Sequence, residues 1–120
     1  MSSVIATVLV SVVALVHVAI SLVEMLLWNK PIVHGRLGFT DEAARKVAPI
    51  VANAGLYNGF LAAGLIWGLF SSGDGTSIKV FFLSCVIVAG FFGAVTLKWT
   101  TLVLQALPGA LALLFVYTSR

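Results

Sequence analysis

Residues 4–28 read VIATVLVSVVALVHVAISLVEMLLW, a run whose sole formally charged residue is Glu24. It is longer than the roughly 20 mostly apolar residues needed to cross the hydrocarbon of a bilayer. Backbone amides have no water to bond there, so such a segment must satisfy itself as a helix. The preceding Met1-Ser2-Ser3 lacks the positive region of a secretory signal. The apolar run also outlasts a signal core of ~7–15 residues, so it is expected to be retained as a span. No acylation or prenylation motif accompanies it.

Three more segments have the same character: Pro49 to Phe70, Ser77 to Leu97 and Thr100 to Thr118. The whole chain of 120 residues is 61% hydrophobic and 9% charged, against about 25% charged in an ordinary soluble domain. A chain this short cannot hide so much apolar surface in a water-soluble core. The fold class expected is therefore all-α: an integral membrane four-helix bundle with a short interfacial helix in the first loop. It forms one domain over residues 1–120, with helices at about 4–28, 49–70, 77–97 and 100–118 and the interfacial helix at about 41–47.

The first loop, Asn29 to Ala48, is the only long one. Thr40 followed by Asp41 and Glu42 marks a helix start, with a capping hydroxyl and two acids at the positive end of the dipole. Pro49 is expected to break or kink that helix where the second span begins. The second loop, Ser71 to Thr76, is built of turn residues. The third is little more than Lys98-Trp99, which predicts a tight antiparallel hairpin of the last two helices. Loops one and three carry Lys30, Arg36, Arg45, Lys46 and Lys98, and the opposite side carries Lys79 and Arg120. This bias places loops one and three in the cytoplasm and both termini outside, in the cell membrane. Trp28, Trp99 and Tyr117 fall at the expected boundaries.

The net charge of +3 does not point to nucleic acid, because no basic stripe tracks a phosphate backbone. The single Cys85 excludes an internal disulfide and CxxC chemistry. No paired carboxylates, no nucleophile with an adjacent base and no phosphate loop are present, so no catalytic template is matched and no cofactor is indicated. One His and one distant Glu make no metal site.

Polar residues inside spans are therefore the informative ones. His17, Ser21, Glu24 and Trp28 follow one another at spacings of four, three and four, which puts them on one helical stripe that must face protein or water. His17 and Glu24 are separated by about 10.5 Å of rise, too far for a direct bond. Asn53 and Tyr57 share a face of the second helix, beside Asn58. Gly55, Gly59 and Ala63 form a small-residue face suited to close helix packing. The spacing of Gly55/Gly59 and Gly64/Gly68 serves a homodimer or internal packing equally well. Gln105 lies on the fourth helix, where Pro108 leaves the carbonyl of Leu104 without its usual donor. By depth, Glu24, Asn53, Tyr57 and Gln105 fall in the cytoplasmic half, and His17 lies deeper.

Each residue also has a purely structural reading. Glu24 can reach the headgroups or pair with Arg45 or Lys46. His17 can be a core histidine bonded to a carbonyl. Asn53, Asn58 and Gln105 can fasten helices.

The runs Glu24-Met25-Leu26-Leu27-Trp28, Asn53-Ala54-Gly55-Leu56-Tyr57-Asn58-Gly59-Phe60-Leu61-Ala62-Ala63-Gly64-Leu65, Phe81 to Gly93, and Gln105-Ala106-Leu107-Pro108 resemble signatures of a bacterial and fungal membrane family, domain of unknown function 1304. The resemblance covers nearly the whole chain. It implies a four-span membrane protein, and its signature set includes Glu24, Asn53, Tyr57, Asn58 and Gln105. It implies no particular reaction.

The expected function is binding of, or action on, a small amphiphilic molecule in a polar intramembrane pocket opening to the cytoplasm. His17, Ser21, Glu24, Asn53, Tyr57, Asn58 and Gln105 would line the pocket, and membrane lipid would be the other partner. The alternatives are a small proton-coupled transporter of the multidrug-resistance type and an accessory membrane subunit without a ligand. Against the transporter stand the position of Glu24 near a helix end and the one-sided charge bias.

Overall fold

The computed structural model describes residues 1–119. Arg120, counted above for orientation, lies outside the described residues. Every regular element among the described residues is helical: α1 (Ser2–Leu22), a first π-helical segment (Val23–Leu27), α2 (Pro31–Arg36), α3 (Asp41–Phe70), α4 (Gly75–Thr96), a second π-helical segment (Leu102–Ala106) and α5 (Leu107–Thr118). Three stretches are long and apolar enough to cross a membrane: Ser2–Leu27, Asp41–Phe70 and Gly75–Thr96. A fourth apolar helix, Leu102–Thr118, is shorter.

The helices present their apolar side chains outward. Phe70 and Val95 are 86% and 85% exposed, and large hydrophobic residues stand exposed along every long helix. Several hydroxyls on these helices turn back to their own backbone. Thr7 donates to Ser3, Ser11 to Thr7, Ser84 to Val80 and Thr96 to Phe92, each to the carbonyl one turn back at 2.7–2.9 Å. In water such back-bonding competes poorly with solvent. In hydrocarbon it is the nearest partner a hydroxyl has.

Two differences from the sequence expectation concern the first loop. A separate interfacial helix at 41–47 is not seen. Instead α3 runs unbroken through Pro49. Thr40 caps it as expected, accepting a bond from the Ala43 amide at 3.1 Å. Pro49 removes one rung, the donor to the Arg45 carbonyl. Both residues are exposed, so that carbonyl can be solvated while the ladder continues on either side. The short loop helix is α2, with Pro31 in its first turn, where a missing N–H costs nothing. Gly38 follows it at φ +86°, a backbone conformation open to glycine.

The chain forms two compact units. One comprises Met1–Val16 with the chain from Leu61 onward, and the other is His17–Phe60. The core of the first unit draws on four helical segments: Val10 and Val13 of α1, Leu65 of α3, Leu83 and Val86 of α4, and Ala112 and Val116 of α5, all at most 3% exposed. Within this unit α4 and the following segments pack closely, as the short third loop requires. A Cβ placed on Gly90 would lie 2.5 Å from the Ala106 nitrogen and 2.8 Å from its Cβ. The Thr101 hydroxyl donates to the Gly90 carbonyl at 2.7 Å. Helix association inside lipid has no hydrophobic drive, so contact of this closeness supplies the attraction.

Gly90→Leu should therefore overpack this contact and destabilise the protein by about 1–3 kcal/mol. Gly73→Ala, where nothing lies within 4 Å of the added carbon, should change little. Thermal unfolding of both variants in detergent micelles tests the contrast.

Candidate intramembrane polar site

The unit His17–Phe60 contains the end of the first apolar helix and most of α3. Their contact is built on the small-residue face of α3. Cβ atoms placed on Gly55 would fall 2.9 Å from the Glu24 Cβ and 2.7 Å from the Met25 Cγ, and on Gly59 3.1 Å from the Ser21 hydroxyl. Glycine at both positions lets the polar stripe of the first helix approach the α3 backbone. The reading of that stripe as protein-facing holds along its length: His17 and Trp28 are buried, and Ser21 and Glu24 half-buried.

At this contact Asn58 Nδ2 donates to the Glu24 carboxylate at 2.8 Å and to the Ala54 carbonyl at 3.1 Å. The second bond fixes the amide on its own helix while the first reaches across. The Ser21 hydroxyl lies 3.7 Å from the Met25 sulfur. Ser21, Glu24 and Asn58 are thus brought together. Asn53 and Tyr57 are exposed on α3, and the Tyr57 ring lies tilted beside Phe60 with centroids 6.0 Å apart. Gln105 is half-buried and belongs to the other unit.

Glu24 stands in the first π-helical segment and Gln105 in the second. In the second, the Leu107 amide bonds back five residues to the Leu102 carbonyl. Pro108 follows at once and can donate nothing, so the ladder changes register where a rung is lost. No proline or glycine marks the first segment. Single π-turns inside α-helices concentrate at functional sites, because the wider turn re-aims side chains and loosens carbonyls.

A family model described as "Protein of unknown function (DUF1304)" matches residues 11–117. The chain belongs to that family. Both π-helical segments and the Glu24–Asn58 pair of this DUF1304 protein lie within the matched residues. No curated protein and no solved structure matches the chain.

Sequence reasoning missed a second cluster in the DUF1304 chain. Trp28, placed at the inner boundary and on the protein-facing stripe, is 5% exposed, and its indole N–H donates to the Ala44 carbonyl at 3.0 Å. The Phe39 ring meets it edge-on at 5.1 Å. His34, noted only as a loop residue, is 3% exposed. Its Nδ1 lies 2.8 Å from the Trp28 carbonyl and its Nε2 2.8 Å from Asp41 Oδ1. No spacing signalled it: the ring lies six residues after the tryptophan and seven before Asp41, the first residue of α3.

Asn58→Leu should cost about 1–2 kcal/mol, since it strands a half-buried carboxylate. Asn53→Ala, at an exposed position, should stay within about 0.5 kcal/mol of the parent. Unfolding of the two variants in the same detergent checks the difference.

Proposed function

We propose that this DUF1304 chain is an integral membrane protein that binds a small amphiphilic molecule at the Glu24–Asn58 pair. The observation carrying this reading is a carboxylate inside an apolar helix, on a π-turn, bonded at 2.8 Å to an amide of a second apolar helix. An intramembrane ionisable residue is costly and is kept where it handles a ligand, ion or proton. Asn58 satisfies one of about four acceptor positions on the carboxylate. A cationic or hydroxylated headgroup would take others, while its apolar tail stayed in lipid. Asn53 and Tyr57, being exposed, are open to such a molecule. The deeper His17, in the same compact unit, would contribute a further polar contact. The basic residues of the first and third loops would hold the Glu24 end of the first helix on the cytoplasmic side.

A second reading rests on the same bond: it fastens two helices, and the chain serves as an accessory subunit without a ligand. Glu24→Gln separates the two, because glutamine keeps an acceptor for Asn58 while losing the charge. Protein extracted in mild detergent should retain a small molecule by native mass spectrometry. In Glu24→Gln its occupancy should fall about tenfold, the equivalent of 1.4 kcal/mol, with little change in thermal midpoint. A parent protein that carries no such molecule, alongside a Glu24→Ala variant that loses stability, would favour the accessory subunit.

A further inference from the structure

The His34 ring makes two bonds that require two protons. One partner is a backbone carbonyl and the other a carboxylate, at 2.8 Å each. Neither oxygen can donate. Both ring nitrogens must therefore carry hydrogen: Nδ1–H donates to Trp28 and Nε2–H to Asp41. Only the imidazolium form can do this. A neutral ring would set a nitrogen lone pair against an oxygen lone pair at one of the two contacts.

We propose that His34 is a proton-operated clasp, which in its doubly protonated form ties the end of the first apolar helix, at Trp28, to the first turn of α3, at Asp41, and which opens when one proton leaves. The carboxylate attracts the remaining N–H more strongly than a carbonyl does. The bond that breaks is therefore the one to Trp28. The charged groups around the ring come from each packed element. Asp41 of α3 is in contact, Arg45 of α3 lines the same crevice of about 330 Å³, and Lys30 and Arg36 flank His34 on its own segment. Asp41 favours the imidazolium and the three cations oppose it.

The hydrogen bond to Asp41 raises the proton affinity of His34 above the usual 6.5, helped by the Trp28 carbonyl and opposed by desolvation. A raised affinity in the folded state stabilises fully below the ordinary value. That contribution is lost as pH climbs through the raised one. The clasp is closed in mild acid and opens toward alkaline pH.

Trp28 reports its state directly. In the full chain with Trp67→Phe and Trp99→Phe, reconstituted in lipid nanodiscs, Trp28 emission and its quenching by acrylamide are followed from pH 5 to 9. Emission should shift to the red and quenching should rise, with a midpoint above 6.5. Asp41→Asn should lower that midpoint by about one pH unit or more. His34→Gln should abolish the transition. A Trp28 signal flat across this range overturns the proposal. So does a midpoint that Asp41→Asn leaves unmoved, or a transition that persists in His34→Gln.

Discussion

The structure depends on the solvent that its outer surface requires. Large apolar side chains stand exposed along every long helix, and water would drive them together. Hydrocarbon accepts them without cost, but then offers nothing to a polar group. The hydroxyls of Thr7, Ser11, Ser84 and Thr96 answer this by bonding one turn back along their own helices. The Glu24 carboxylate cannot, because a backbone within its reach has no spare donor. It has to be met from another helix, and Asn58 meets it. Gly55 and Gly59 bring the two helices close enough for that bond to form.

The same constraint makes the π-helical segments informative. Where no water can repair a broken ladder, an irregular turn persists only if its surroundings support it. Both irregular turns coincide with a long polar side chain, Glu24 in one and Gln105 in the other. In the second, Pro108 gives a local cause. In the first, no residue of Val23–Leu27 disrupts a helix by itself. There Glu24 and Met25 sit against Gly55 of α3.

Much of this was legible from periodicity and length. The apolar stretches, the capping Thr40, the protein-facing stripe from His17 to Trp28 and the Gly55/Gly59 part of the small-residue face of α3 all follow from residue type and spacing, whereas Ala63, expected on that face, is exposed. The choice of partner for Glu24 was less legible. Spacings of four grouped Asn53 with Tyr57, whereas Asn58 lies beside Gly59 on the face that the first helix approaches. The π-turn at Val23–Leu27 leaves no trace in composition, because its residues suit an α-helix equally well. Pro49 misled for a related reason. A proline removes one donor, and whether the helix then breaks depends on whether the orphaned carbonyl can be solvated, which is a matter of exposure. The bonds of His34 are set by a carbonyl and a carboxylate that spacing alone does not bring to one ring.

The uninterrupted run of α3 through Pro49 has a geometric corollary. Its 30 residues, at about 1.5 Å each, make a rod of about 45 Å. The oily layer of a bilayer is only about 30 Å deep. Unless the rod leans steeply, some ten residues project into the headgroups or beyond. The opening turns, Asp41 to Lys46, are the ones suited to that zone, with both signs of charge and a Glu42–Lys46 pair at 3.8 Å. Whatever is fastened to those opening turns stands clear of the lipid tails.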